Sequence, residues 1–234
     1  FGHWKDTAVM VQGEAVNSFT LMFLQLWNIN VKEKEDYSKY MQYTSVIDRG
    51  MRNGGYVVPY GDSPYDDEDV GEKVYLDILN RSQDYVHIMT PYLILDDKMT
   101  TALCVAAKTG VDVRIITPAI PDKWYVHMVT RSYYAPLLRA GVRIYEYTPG
   151  FIHAKSYLSD DTTGVVGTIN MDYRSLYLHF ECGTYLYRTP ALQALKADVM
   201  DTLAKSREIS PADCRRHFWS RMLDAVLRIA APLC

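Results

Sequence analysis

The alternation of strand and helix patterns between Gly54 and Gly150 constrains the fold more than any other feature of the sequence. Apolar, β-branched runs such as VDVRIITPA follow segments whose apolar residues recur at helical spacing, such as DDKMTTALCVAAKTG. Gly110 and Gly141 each stand between a helical segment and the next strand, where glycine commonly ends a helix. This order predicts an α/β fold with a mixed, mainly parallel sheet that is flanked by helices on both faces.

The pattern changes after Gly150. Three strand patterns, IHAKSYL, GVVGTIN and FECGTYLY, follow one another without a long helix between them, so we expect antiparallel strands here. Two helical patterns, ALQALKADVMDTLAKS and ADCRRHFWSRMLDAVLRI, complete the chain.

The N-terminal residues are organised differently. TAVMVQ has the alternation of a strand, residues 13–30 have the periodicity of a helix, and the charged residues 31–45 are typical of a linker. The chain begins at Phe1 directly before this strand pattern, so we expect it to be a piece of a longer protein. We therefore predict that residues 1–50 form the end of a preceding domain plus a linker, and that residues 51–234 form one domain.

Composition disfavours several classes of function. The 25 basic and 28 acidic side chains give a net charge of -3, whereas proteins that bind nucleic-acid phosphates usually carry a basic excess, so we expect no nucleic-acid partner. No apolar run approaches the roughly 20 residues that a membrane-spanning helix needs. The four cysteines form no CxxC pair and have no histidine at zinc-finger spacing, so we expect no bound metal and a reducing, cytosol-facing environment.

The stretch HAKSYLSDDTTGVVGTIN, His153 to Asn170, carries the residues best suited to chemistry. Side chains two apart on a strand share a face, so His153 and Lys155 project together, as do Thr168 and Asn170 on the following strand. If these strands pair, an imidazole, an ammonium, a hydroxyl and a carboxamide converge. Such donors stabilise phosphate oxygens, and an imidazole attacks phosphorus or transfers a proton, so the set suits phosphoryl chemistry.

Three further residues extend this set. Glu181, on the third strand, can accept a hydrogen bond from an imidazole and fix its tautomer. Asp160 stands at an odd spacing from Lys155, where the strand ends, which indicates a structural turn or an ion pair. Tyr92 follows a strand at the carboxyl end of the sheet, where α/β proteins bind ligands, so it is a candidate pocket wall, with turn packing as the alternative. A solvent-exposed hairpin face is the alternative for the whole stretch.

The same residues carry a resemblance to a known family. HAKSYLSDDTTGVVGTIN resembles the HxKxxxxD...GTxN signature, the HKD motif, of the phospholipase D superfamily. IMTPYLILDD, GVDVRIITPAIPD and GTINMDYRSLYLHFECGTYLY resemble the second half of bacterial cardiolipin synthases, and FGHWKDTAVMVQGEAV resembles the stretch after that family's first HKD motif. By this resemblance, residues 1–50 end the first HKD half, and residues 51–234 form the second, phospholipase D-like half.

The resemblance implies a reaction. A histidine attacks the phosphate of phosphatidylglycerol, releases glycerol and forms a phosphohistidine, which the hydroxyl of a second phosphatidylglycerol displaces to give cardiolipin. No metal or cofactor is implied. His153 is implied as general acid and base in preference to nucleophile, and the sequence leaves both roles open. The implied catalytic set is His153, Lys155, Asp160, Asn170 and Glu181, with Thr168 and Tyr92 assigned to substrate binding.

The expected partners follow from the resemblance. Family members carry two HKD motifs and this sequence holds one, so the other half-site is expected from the missing first half or from a second chain. We expect the anionic lipid phosphatidylglycerol as substrate and the cytoplasmic face of a bacterial cell membrane as location. The last helical pattern, which places Trp219 beside Arg216 and Arg221, is suited to a membrane surface, and packing on the sheet is the alternative.

Two other functions stay open on sequence alone. The first is a phosphodiesterase or nuclease of the same superfamily, in which one HKD motif per chain is sufficient because two chains dimerise. A non-catalytic half can instead shape a lipid-binding pocket. The net charge of -3 disfavours a nuclease, and the presence of His153, Lys155 and Asn170 together disfavours a non-catalytic half.

Overall fold

Helices and strands alternate through most of the chain. The computed structural model describes residues 2–34, 36–41, 54–65 and 67–214. The helices within these residues are α1 (Ala15–Asn30), α2 (Val70–Arg81), α3 (Asp97–Lys108), α4 (Trp124–Ala140), α5 (Tyr173–Tyr177) and α6 (Ala191–Ala204), with a short 3₁₀ helix at Tyr37–Lys39. The strands are β1 (Trp4–Lys5), β2 (Tyr56–Asp62), β3 (Tyr85–Met89), β4 (Asp112–Pro118), β5 (Arg143–Tyr147), β6 (Phe151–Ile152), β7 (Ser156–Ser159), β8 (Thr163–Gly167), β9 (Glu181–Tyr187) and β10 (Ser206–Glu208).

Eight strands form one mixed sheet in the order β10-β5-β4-β3-β7-β8-β9-β2. β3 is parallel to β4 and β4 to β5, and the other pairings in this sheet of the described residues are antiparallel. The expectation of a mainly parallel sheet is therefore wrong, although the α/β class and the antiparallel strands after Gly150 are confirmed. Parallel neighbours need a long crossover, and residues 160–162 between β7 and β8 are too few to form one.

Helices cover both faces of the sheet, as the sequence predicts. Side chains alternate along β3, so Val86 and Ile88 pack with α2, α3 and α4 while Met89 packs with α6. Tyr75 of α2 and Tyr157 of β7 stack with ring centroids 4.0 Å apart, and both rings are buried. The central strands are thus buried on both sides, which is why they appear in the sequence as nearly continuous apolar runs.

The N-terminal segment differs in part from its expected structure. The helix is present as α1, which packs on β2 closely enough that a Cβ at Gly61 would lie 2.8 Å from Sδ of Met22. TAVMVQ, in contrast, is not a strand: β1 covers only Trp4–Lys5 and pairs in parallel with β6. Residues 7–12 do alternate between half-buried and exposed side chains. A strand also needs a neighbouring strand with which to form backbone hydrogen bonds, and the described residues provide none beside residues 7–12.

Two expectations fall outside the described residues. The domain boundary near residue 51 is one, and the basic C-terminal helical pattern around Trp219 is the other. Within residues 2–214, apart from the gaps given above, no helix has the length and hydropathy needed to cross a bilayer.

Candidate functional site

His153 and Lys155 lie in the connection between β6 and β7, near the carboxyl ends of the parallel strands. The sequence predicts both residues within a strand, but they lie just before β7. Hydrogen bonds of their backbone groups, rather than the alternation of a strand, hold them in place. The His153 N–H donates to the carbonyl of Lys5 at 2.7 Å, and the Gly167 N–H donates to the carbonyl of Lys155 at 3.1 Å. The first contact joins the site to the N-terminal segment, and the second joins it to β8.

The carboxylate beside His153 is that of Asp6. Nδ1 of His153 lies 3.1 Å from Oδ2 and 3.3 Å from Oδ1 of Asp6, and the Trp4 ring meets the imidazole edge-on at 5.2 Å between centroids. A proton on Nδ1 that is shared with a carboxylate leaves Nε2 unprotonated and ready to act as nucleophile or base. Sequence analysis did not identify Asp6, and it assigned this kind of contact to Glu181.

Lys155 is buried, with 8% of its surface exposed. Its Nζ donates to the carbonyl oxygen of His153 at 2.6 Å, which uses one of three N–H groups. Burial lowers the pKa of Lys155 to about 8, although the negative charges of Asp6, Glu181 and Asp172 act to raise it. The ammonium is thus surrounded by acidic groups without a direct ion pair to them among the described residues, so it retains donors for an anion.

Thr168 and Glu181 contact each other, whereas the sequence analysis pairs Glu181 with an imidazole. The Thr168 hydroxyl donates to Oε2 of Glu181, and Nδ1 of His179 lies 3.6 Å from Oε1. His179 precedes β9, so strand alternation does not explain this contact. Nε2 of His179 accepts a hydrogen bond from Arg174 at 3.3 Å. Burial raises the pKa of Glu181, so this carboxyl binds a proton more readily than an exposed glutamate.

Asn170 lies beyond the end of β8, beside Asp172 and Ser175. Its Nδ2 donates to Oγ of Ser175 at 3.0 Å, while its buried Oδ1 has no hydrogen-bond partner among the described residues. Asp172 is 5% exposed and caps α5 by accepting from the Ser175 N–H at 2.8 Å. Burial raises the pKa of Asp172. Sequence analysis missed Asp172, because an N-cap aspartate before a five-residue helix carries no signal of its own.

The close approach of β8 and β9 at this point requires glycine. A Cβ added to Gly167 would lie 2.5 Å from the carbonyl oxygen of Cys182. Because these backbones lie close together, the Thr168 N–H donates to the carbonyl of Cys182 at 2.9 Å and the Cys182 N–H donates to the Thr168 hydroxyl oxygen at 3.0 Å, which places Thr168 beside Glu181.

Asp160 is placed apart from the other predicted catalytic residues. It follows β7, at the opposite end of that strand from Lys155, with a positive φ of 51°. Its carboxylate accepts three backbone N–H groups, from Gln83 at 2.9 Å, Asp84 at 3.0 Å and Tyr85 at 2.8 Å. Its inclusion in the catalytic set is therefore corrected: Asp160 joins the α2–β3 turn to the β7–β8 turn.

Tyr92 lies in the connection after β3. Its hydroxyl donates to Oδ2 of Asp122 at 2.5 Å, and burial together with this carboxylate raises its pKa. The next residue, Leu93, forms an isolated parallel bridge with Met171, so the Tyr92 connection is attached to the segment that holds Asn170. Tyr92 thus borders the site, and its hydroxyl points to the loop after β4.

The structure brings together groups of complementary chemistry. An imidazole held by a carboxylate, a buried ammonium, a carboxamide and a hydroxyl–carboxylate pair border the same edge of the sheet. Such a set can bind an anion with more than one charged oxygen and offer it a nucleophile or a base. Backbone hydrogen bonds bring the members together: the Gly167 N–H donates to the carbonyl of Lys155, and the Thr168 N–H donates to the carbonyl of Cys182, next to Glu181.

Comparison with known proteins agrees with this fold. The model of the family described as cardiolipin synthase, PLD-like domain, matches residues 75–202. A protein of Streptococcus mutans described as uncharacterized is 52% identical over all of this chain and 50% of its own length. The cardiolipin synthase of Alkalihalophilus pseudofirmus is 37% identical over all of this chain and 46% of its own length. The chain thus spans about half the length of the curated relatives that it matches.

A solved structure shows the same fold. The phosphatidylserine synthase of Haemophilus influenzae superimposes with a TM-score of 0.61 at 15% identity, over 78% of this chain and 46% of that chain. The match to the family model of a PLD-like domain confirms the resemblance to the phospholipase D superfamily. The chain belongs to the family of cardiolipin synthase phospholipase D-like domains.

Proposed function

We propose that the chain supplies one half-site of a phosphatidyltransferase that makes cardiolipin from phosphatidylglycerol through a phosphohistidine intermediate. The observation that carries the proposal is the contact between Nδ1 of His153 and Asp6 at 3.1 Å, beside the buried ammonium of Lys155. Because this contact holds a proton on Nδ1, it leaves Nε2 of His153 available to transfer a proton or to attack phosphorus. The relatives named cardiolipin synthase, at 37% and 36% identity, support lipid as substrate.

Each residue has a role in this reaction. Lys155 and Asn170 hold the non-bridging phosphate oxygens, because both retain donor capacity beyond their present contacts. Thr168 and His179 hold Glu181, and Glu181 orients the histidine of the other half-site, as Asp6 orients His153.

The bonds and protons balance over two steps. The histidine of the other half attacks phosphorus while the bond from phosphorus to the glycerol oxygen breaks, and His153 in its protonated form gives that oxygen a proton. His153 then accepts the proton of the hydroxyl of a second phosphatidylglycerol as that oxygen displaces the phosphohistidine. The first half, or a second chain, supplies the partner histidine.

The test is conversion of labelled phosphatidylglycerol in detergent micelles. The 234-residue chain and a version extended upstream to the length of the relatives are compared, each as wild type, as His153→Ala and as the control His127→Ala on α4. We expect cardiolipin only from the extended wild type and its His127→Ala variant. Cardiolipin production by the extended His153→Ala variant contradicts the proposal. Turnover of phosphodiesters by the short chain alone supports a dimeric phosphodiesterase instead.

A further inference from the structure

We propose that residues 120–125, the end of the loop after β4 together with the first two residues of α4, dock the protein onto the surface of an anionic phospholipid bilayer beside the candidate site. The inference rests on the proposed function, which requires the site to reach lipids that lie within a bilayer. It adds to that function the surface by which the protein reaches them. Residues 120–125 are called the rim loop below.

The rim loop exposes large apolar side chains. Ile120 is 47% exposed, Trp124 is 71% exposed and Tyr125 is 44% exposed. The rings of Trp124 and Tyr125 meet edge-on with centroids 5.9 Å apart, so they form one aromatic surface. Tryptophan and tyrosine favour the boundary between lipid headgroups and acyl chains, because one part of each ring system is apolar and another forms hydrogen bonds.

The rim loop presents a cationic side chain to solvent. Lys123 is exposed between the apolar residues. Asp122, the acidic residue of the loop, is half-buried: its Oδ2 accepts a hydrogen bond from the Tyr92 hydroxyl at 2.5 Å and its Oδ1 accepts one from the Lys123 N–H at 2.7 Å. The ammonium of Lys123 is therefore the cationic group that the loop presents to solvent, as attraction to anionic lipid requires.

Contacts connect the rim loop with the candidate site. The Ala119 N–H donates to the carbonyl of Tyr147 at 3.0 Å, at the end of β5, and from there the chain runs through β6 to His153. On the other side, Asp122 holds Tyr92, and the neighbouring Ile94 N–H donates to the carbonyl of Met171 at 2.8 Å. A bilayer that contacts the rim loop thus lies next to the segments that carry both His153 and Asn170.

The chain offers a matched control at another exposed tryptophan. Trp27 of α1 is 52% exposed and stacks on Phe23 with centroids 6.0 Å apart. Helix α1 packs on β2, an edge strand of the sheet, whereas the rim loop follows β4, on the far side of β3. Helix α1 also contains no charged side chain, so it lacks the cation that the rim loop presents.

The experiment measures binding of the 234-residue chain to sedimented vesicles, without turnover. Vesicles of phosphatidylglycerol are compared with vesicles of phosphatidylcholine, for wild type, Trp124→Ser, Lys123→Gln and the control Trp27→Ser. We expect Trp124→Ser to weaken binding to phosphatidylglycerol by about tenfold, since one large aromatic side chain no longer leaves water. Lys123→Gln is expected to weaken binding to phosphatidylglycerol alone, and Trp27→Ser to bind as wild type does.

A second measurement locates the contact directly. Brominated phosphatidylglycerol quenches tryptophan fluorescence at short range, so we expect the quenching of wild type to be kept in Trp27→Phe and reduced in Trp124→Phe, with Trp4 beside His153 contributing to the quenching that remains. The inference is overturned if Trp124→Ser binds like wild type, if Trp27→Ser weakens binding equally, or if phosphatidylcholine vesicles bind as well. Because no turnover is measured, a failure here leaves the proposed reaction intact. Likewise, absence of cardiolipin in the micelle assay leaves the binding result valid.

Discussion

Asp6 precedes His153 by 147 residues, yet its Oδ2 lies 3.1 Å from Nδ1 of the imidazole. Both side chains are partly exposed, at 60% for Asp6 and 39% for His153, so the pair contributes little to stability. Its effect is to set the tautomer and the direction of the ring. Lys5 positions Asp6, because its backbone carbonyl accepts from His153 and its Nζ forms an ion pair with Asp198 at 2.7 Å.

Replacement of Asp6 by asparagine is expected to reduce catalysis with little loss of stability. The amide keeps the size of the side chain but removes the charge that favours a proton on Nδ1 and stabilises the imidazolium. We expect kcat of the extended protein to fall by about two to three orders of magnitude, with Tm unchanged. Steady-state kinetics and thermal unfolding measure the two effects.

Asp77→Asn is the control for this change. Asp77 forms an exposed ion pair with Arg81 on α2, away from the site. An equal loss of kcat in both variants, or a kcat for Asp6→Asn that matches wild type, contradicts the positioning role of Asp6.

The depressed pKa of Lys155 predicts an alkaline limit to activity. Burial lowers the pKa of Lys155 to about 8, so in the free protein the ammonium loses its proton as pH rises through that value. Only the charged form attracts a phosphate, so kcat/KM is expected to fall above about pH 8. A guanidinium stays charged across this range, so Lys155→Arg is expected to lower kcat/KM overall but to move this limb to higher pH.

The pH profile of kcat/KM from 6.5 to 9.5 checks this prediction. A descending limb that keeps the same midpoint in Lys155→Arg assigns the titration to another group and contradicts the role of Lys155.

Much of this site was predictable because its residues are close in sequence or lie on adjacent strands. The sequence predicts antiparallel strands after Gly150, and the pairing of β8 with β9 brings Thr168 and Glu181 together, although the contact between these two residues was not itself predicted. Asp160 forms a turn, as its odd spacing from Lys155 suggests. The direction of the central sheet was not predictable from alternation, because strands buried on both faces have the same apolar pattern whether their neighbours are parallel or antiparallel.

Asp6 and Asp172 show what local pattern leaves out. Asp6 reaches His153 only because β1 pairs with β6, and a two-residue strand has no detectable periodicity. The charge of Asp172 acts to raise the pKa of Lys155, and Asp172 is buried. Whether a single aspartate is buried depends on tertiary packing, which a local pattern does not reveal. Both acids follow from contacts that are distant in sequence, so neither spacing nor composition identifies them.

Asp160 is expected to matter for stability rather than for activity. Asp160→Ala leaves the N–H groups of Gln83, Asp84 and Tyr85 without their acceptor and places alanine at a positive φ. Loss of these hydrogen bonds is expected to reduce the free energy of unfolding by about 1–3 kcal/mol. Asp160→Asn keeps one oxygen acceptor and tolerates this φ, so its loss is expected to be smaller.

Urea unfolding of the three proteins, with kcat measured below the unfolding temperature, tests this assignment. A loss of kcat in Asp160→Asn as large as that of His153→Ala, with stability kept, contradicts a purely structural role.

His87 is expected to make the fold sensitive to acid. Both ring nitrogens of this β3 residue are buried without a hydrogen-bond partner among the described residues, and Nε2 lies 3.9 Å from Asp112. Burial and the charge of Arg114 lower the pKa of His87 to about 4, whereas Asp112 acts in the opposite direction. The folded state therefore excludes a proton that the unfolded chain binds at an ordinary histidine pKa of about 6.5.

The sign of the effect follows from this difference. Between pH 6.5 and about 4 the unfolded state binds more protons at His87, so the free energy of unfolding decreases as pH falls through this range. His87→Leu has no group to protonate, so it is expected to lose less stability than wild type between pH 7 and 4.5. Urea unfolding at both pH values measures this, with the half-buried His127→Gln on α4 as control. If His87→Leu and wild type lose the same stability in acid, the sensitivity belongs to other groups. Asp172 and Glu181 are not among them, because burial raises the pKa of both carboxyls and their protonation in acid therefore favours the folded state.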